Sequence, residues 1–160
     1  MCGIFFSAAC SPAEMPAEPP EKLVELLRRR GPDSQGWHSL SRYHSKKVEV
    51  HMQELDFYVY SSVLSLRGVE VTEQPVVDVN DNVLSWNGEI YSDGNDLSVL
   101  ENDTVFLAEQ LTSCLRKGES VFDVLNVIKG PFALVFHDRV NDSIYFARDR
   151  FGKLANMNLS

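Results

Sequence analysis

Residues 131–149, PFALVFHDRVNDSIYFARD, leave this chain the fewest choices. An apolar and aromatic run enters the short polar stretch RVND and a second such run leaves it, which predicts two strands joined by a turn at 139–142. A link that short returns its strand antiparallel. Upstream, VLSWNGEIY (83–91) reads as an apolar approach to a tight Asn-Gly turn with a short return, bracketed by the turn signals DVNDN and SDGND. DFYVYSSVLSLRGVEV (56–71) is rich in β-branched and aromatic residues, and KVEVHM (47–52) alternates, so strand character is expected from about residue 47 onward.

Helices are expected in separate blocks. In EKLVELLRRRGPD (21–33), Leu23, Leu26 and Leu27 fall at helical spacing, Glu21 opens the helix, and Arg28 to Arg30 suit its negative end. Gly31 reads as its C-terminal cap and Pro32 as its stop. In NDTVFLAEQLTSCLRKG (102–118), Asn102 or Asp103 caps a second helix whose buried face is Val105, Leu107, Ala108, Leu111 and Leu115, with Lys117-Gly118 as its end. SVFDVLNVIKG (120–130) predicts a third, shorter helix. Between the first strand and the first helix, SPAEMPAEPPEK holds four prolines in a dozen residues and forms no regular element. Strands and helices do not alternate singly, so the expectation is an α+β domain with largely antiparallel pairing, in two sheets rather than one.

At 160 residues one domain is the default. A formal net charge of −8 gives no electrostatic case for nucleic-acid or acidic-membrane partners. No apolar run approaches the ~20 residues a bilayer requires, and GIFFSAAC lacks the basic flank of a secretion signal. Three cysteines, Cys2, Cys10 and Cys114, form an odd set without metal-ligand spacing, which argues against a disulfide scaffold or a zinc site and for a reducing, cytoplasmic setting.

Cys2 poses the chemical question. Its bland reading is a small residue leading into a buried strand. The sharper one is that Met1 is removed and Cys2 becomes residue one, with a thiol and a free α-amine on one residue. A thiol of pKa about 8.5 needs a base, and an α-amine titrating near ~7.7–8.0 can serve, directly or through water. His38, His44, His51 and His137 lack supporting signals and read as surface residues. A thiol attacking a carboxamide also needs oxyanion donors, and the Asn87 amide with the Gly88 N–H can supply them. By itself, though, Asn-Gly more often marks a hairpin turn. Asp103 is either a helix cap or a partner for a substrate ammonium group, and RRRGPD reads by default as a helix end.

Taken in order, MCGI, RRGPDSQGW, QPVVDVNDNVLSWNGEIY, NDT before a helix and IKGPFALVFHDRVNDSIYFARDRFG resemble the class II glutamine amidotransferase domains, in the variety found in asparagine synthetases and asparagine synthetase-like proteins. The likeness runs from Met1 through Gly152. It implies an N-terminal-nucleophile hydrolase fold, four layers αββα with two antiparallel sheets, as one glutamine amidotransferase type 2 domain over residues 1–160. It further implies Cys2 as nucleophile, Asn87 and Gly88 as oxyanion hole, and Glu89 and Asp103 lining the glutamine pocket, Asp103 on the α-amino group. The reaction implied is hydrolysis of glutamine to glutamate and ammonia through a thioester, without cofactor or metal in this chain. The ammonia would pass to an ATP-dependent synthetase domain in asparagine biosynthesis.

Two departures stand out. Members of the family carry an arginine, in a motif like RLSIVD, that clamps the glutamine carboxylate, and Val63 occupies that position here. Arg67, four residues on, lies roughly 13 Å away along an extended chain and is the substitute candidate. After ARDRFG the sequence stops at KLANMNLS, without an SGGxDS-type nucleotide loop, so a shortened form lacking closing strands and the synthetase domain is expected. The rival reading is a catalytically inactive domain that keeps the fold as a binding or regulatory module.

Overall fold

Strand β1 (Gly3–Ala9) lies against β3 (Glu54–Val63), and β3 also pairs with β2 (Ser34–His44), giving an antiparallel sheet of order β1-β3-β2. A second antiparallel sheet runs β4 (Val76–Val77), β5 (Val83–Gly88), β6 (Phe132–Asp138), β7 (Ser143–Arg148) in that order. Among the described residues three helices complete the elements: α1 (Glu21–Arg28), α2 (Asp103–Lys117) and α3 (Val121–Val127). This computed structural model describes residues 2–9, 18–44, 54–66, 68, 70–92 and 102–150, and of residues 41–44, 54 and 55 the backbone alone.

Period-2 alternation sorts the strands between two interiors. Val59 of β3, Val83 of β5 and Val135 of β6 meet between the sheets, with Ile4, Phe6 and Ile144 packed around them. Leu84 and Trp86 of β5 and Phe132, Leu134 and Phe136 of β6 point the other way, onto Leu107 and Leu111 of α2 and Val121 and Leu125 of α3. Helix α1 packs on the outer side of the first sheet, where Leu27 meets Gly3. The order across the molecule is therefore helix, sheet, sheet, helices, and the expectation of an α+β chain with two antiparallel sheets holds. Every residue of β6 is buried because both its faces are covered. A polar contact interrupts the inter-sheet space: the Ser61 hydroxyl of β3 donates to the Ser85 hydroxyl of β5 at 2.8 Å.

The β6–β7 turn, α2 and α3 fall where the sequence puts them. Of the two cap candidates Asn102 is the cap, its side chain accepting from the N–H groups of Thr104 and Val105, and Gly118 in left-handed conformation closes α2. The buried face differs in part, because Val105 is exposed while Thr104, Thr112 and Cys114 are buried.

Other expectations are corrected. Residues 34–44 form a full strand that local pattern did not announce. β3 stops at Val63 rather than running on toward residue 71, and KVEVHM lies outside the described residues. Helix α1 is capped by Arg29 in ordinary helical conformation, not by Gly31. Gly31 is required for another reason: a Cβ there would lie 2.5 Å from the Val63 nitrogen, so only glycine lets the chain cross β3. His137 is buried between the sheets against the Phe57 ring, not at the surface. Asn87 and Gly88 do not form a hairpin turn. They end β5, in register with Ala133 and Phe132. Among the described residues no helix is long and apolar enough to cross a membrane.

Candidate active site

Where the two sheets and the start of α2 converge, a cleft of about 140 Å³ opens. An engineered cavity of roughly 150 Å³ takes up a benzene-sized guest, so this cleft suits a small molecule rather than a chain segment. Cys2, Val63, Asn87, Gly88, Glu89 and Asp103 all line it. Residues separated by up to 101 positions in sequence are thus brought together. Arg67 and Met1 lie outside the described residues.

Cys2 immediately precedes β1, and its position is fixed from three directions. The Leu64 N–H donates to Sγ at 3.4 Å, and Sγ lies 3.7 Å from the Leu64 carbonyl. The Arg30 Nε donates to the Cys2 carbonyl at 3.3 Å. The Gly3 N–H donates to the Ser62 hydroxyl at 3.1 Å, and that hydroxyl donates to the Leu27 carbonyl at 2.7 Å. The loop under the thiol is held in turn by Asp33, whose carboxylate accepts from the Ser65 N–H at 2.8 Å and whose own N–H donates to the Val63 carbonyl. RRRGPD therefore does more than end a helix, since its last residues clip both Cys2 and the segment beside it.

The opposite wall is the end of β5. Gly88 stands in register with Phe132, which turns its N–H to the Asp149 carboxylate at 3.3 Å and its carbonyl to the Asp149 N–H at 2.9 Å. Partners in an antiparallel pair of this kind both direct their polar groups outward, so the Gly88 N–H faces away from β6, toward the cleft edge. Glycine is the residue this spot admits. A Cβ would lie 2.7 Å from the Phe132 Cβ, the Pro131 oxygen and the Trp86 ring at once. Asn87 is 6% exposed, and Glu89, anchored by its N–H to the Pro131 carbonyl, is half-buried.

Asp103 begins α2 and accepts from the Ile90 N–H at 3.0 Å, which ties the helix start to the strand end. With Asn102 serving as cap, the Asp103 carboxylate is not consumed by capping. Glu89 and Asp103 are the charged side chains among the described residues of the lining, so the cleft carries negative charge suited to an ammonium group.

Other titratable groups have different fates. Burial lowers the His137 pKa to about 4, assisted by Arg139, and this imidazole is neutral between the sheets, away from the cleft. Burial likewise lowers the pKa of His38, against the pull of Asp81. Burial, then Glu119 and Asp123, raise that of the Cys114 thiol, which is buried on the inner face of α2. At Asp78 burial pushes the pKa up, but hydrogen bonds from Asn82, Thr112 and Asn80 outweigh it and hold the carboxyl below its ordinary value.

Among the lining residues to which sequence assigned no role are Leu64, Gln74 and Thr104. Leu64 contributes through its backbone, which leaves no side-chain signal. Gln74 and Thr104 bond each other across 30 positions, a relation no local pattern encodes.

Residues 62–155 match the glutamine amidotransferase domain family. Over 153 residues, 96% of this chain, it is 35% identical to asparagine synthetase domain-containing protein 1 of Homo sapiens and 33% to that of Bos taurus. Over 153 residues it is 29% identical to an asparagine synthetase domain-containing protein of Drosophila melanogaster. The matched stretch is 22% of the human and bovine proteins and 25% of the fly protein, so the chain spans about a quarter or less of the length of these relatives.

Proposed function

The chain belongs to the glutamine amidotransferase domain family, and on that premise we propose that it hydrolyses glutamine to glutamate and ammonia at Cys2, as a domain of N-terminal-nucleophile type. The observation that carries this reading is the convergence of Cys2, Asn87, Gly88, Glu89 and Asp103 on one small cleft.

Each group has a task. Met1 is removed, and the freed α-amine of Cys2 takes the thiol proton. The sulfur attacks the glutamine Cδ, and the oxygen that becomes negative is met by the Gly88 N–H and the Asn87 amide. Collapse expels ammonia, the proton returning from the α-ammonium, and leaves a thioester. Water, deprotonated by the same amine, then attacks the thioester carbon, releasing glutamate and the thiol. Asp103 pairs with the glutamine ammonium group, Glu89 lines the pocket beside it, and Arg67 meets the carboxylate. The relatives are named for an asparagine synthetase domain, which supports a synthetase as recipient of the ammonia, in a reducing cytoplasm where the thiol persists.

One observation favours the second reading, a module without turnover. Val63, buried on the cleft wall at the position where family members carry the carboxylate-binding arginine, offers no charge. The experiment treats the chain with a glutamine-like diazoketone and measures ammonia release. The expected result is an intact mass lacking Met1, label on Cys2, and loss of both label and ammonia in Cys2→Ala. A folded, processed protein that neither labels nor binds glutamine would leave the module.

A further inference from the structure

We propose that Gln74 is the positioning residue that sets the oxyanion amide against the start of α2, an assignment that rests on the glutaminase reading. Gln74 is 3% exposed and lines the cleft. Its Oε1 accepts from the Trp86 N–H at 2.6 Å, and its Nε2 donates to the Thr104 hydroxyl at 3.3 Å. The first bond fixes the orientation of the amide, because a backbone N–H demands the oxygen, and the nitrogen is thereby turned to Thr104.

The position along the strand gives this bond its meaning. β4 pairs with β5 at Val83 and Leu84 only. Alternate residues of β5 face the same side, so Leu84, Trp86 and Gly88 present their N–H groups toward β4 in succession. Main-chain pairing satisfies that edge through Leu84. At Trp86 the Gln74 side chain takes the place of a strand, and the next amide, that of Gly88, is the one that faces the cleft. Gln74 thus ends the sheet edge one step short of the proposed oxyanion donor. Its other arm reaches Thr104, beside Asp103, which itself accepts from the Ile90 N–H. One buried amide therefore sets the spacing between the group that would meet the oxyanion and the group that would hold the substrate ammonium. A glutamine in this place needs no contact with substrate to govern the reaction, since a misplacement of about 1 Å at a reacting centre can cost about 10²-fold in rate.

The test uses the full chain and two variants. Gln74→Met keeps the length of the side chain and removes both bonds. We expect its kcat for glutamine to fall about 10²-fold, with KM changing by less than about threefold, while alkylation of Cys2 by iodoacetamide, which builds no oxyanion, proceeds at the wild-type rate. Gln74→Glu keeps the bond from the Trp86 N–H and is expected to recover at least tenfold of the lost kcat. Its kcat relative to wild type should rise as pH falls and the carboxyl, at a position only 3% exposed, sheds a charge that burial disfavours. If Gln74→Met does not fold, that pH profile carries the test alone. Wild-type kcat in Gln74→Met, alkylation that falls in parallel with turnover, or a Gln74→Glu profile parallel to wild type would each overturn the assignment while leaving the glutaminase intact. A wild-type chain that releases no ammonia overturns both.

Discussion

The two walls of the cleft are built in different ways. The wall of Asn87, Gly88 and Asp103 grows out of the deepest part of the molecule. Behind it stand Trp86, Ile90, Leu107 and Leu111, none more than 2% exposed. The wall of Cys2 and residues 63–66 borders a helix, α1, with no buried residue, and ends at Leu66, which is 60% exposed. Here a hydrogen bond from Arg30 and bonds accepted by Asp33 and Ser62 replace apolar mass. The donors that would meet charge are held by the core, whereas the Cys2 thiol is held by a few polar clips that can be removed singly. Damage behind the first wall should unfold the protein, and damage behind the second should alter the thiol while the fold survives.

The most severe test of this contrast is Leu107→Ala, which opens a cavity behind the first wall and should cost about 2–5 kcal/mol in denaturant unfolding. A loss below about 1 kcal/mol would erase the distinction. Next comes acid. His137 has a folded pKa of about 4 against an ordinary 6.5, so between those values the unfolded chain binds the extra proton. Stability is then full above pH 6.5 and declines as pH falls toward 4, by roughly 3 kcal/mol in all. His137→Gln should flatten that slope, and an unchanged slope would place the acid sensitivity elsewhere. Asp33→Ala removes the clip on Ser65 and should cost only about 1 kcal/mol, yet change the alkylation rate of Cys2. If stability fell as far as in Leu107→Ala, the second wall would be core as well. Smallest is Leu26→Ala on the exposed side of α1, where a change within about 0.5 kcal/mol is expected.

What was legible in the sequence follows the range of the interactions involved. The β6–β7 hairpin, α2 with its Asn102 cap and Gly118 end, and α3 are set by neighbours a few residues apart, and periodicity reports them. Strand β2 was missed because SQGWHSLSRYH carries no β-branched residue, and its identity comes from pairing with β3. Gly31 and the Asn87-Gly88 pair were misread for one reason. Glycine was taken as a sign of turning, when at Gly31 and Gly88 it marks a place where other atoms come too close for a Cβ. Cys2, Asn87, Gly88 and Asp103 were candidates on their own chemistry and Glu89 through the resemblance, and their shared cleft was not visible in any spacing. Gln74 escaped notice because both its partners are distant in sequence.

The hydroxyl pair Ser61–Ser85 has a further consequence. Apolar faces laid together resist separation but hardly resist sliding, since one greasy alignment is nearly as good as the next. A directional bond between the layers acts as a dowel. Ser61 is three positions before the peptide that touches the thiol, and Ser85 is two before Asn87. The lateral alignment of the Cys2 thiol with the Asn87 amide is thus pinned by a pair of small alcohols that never touch the cleft.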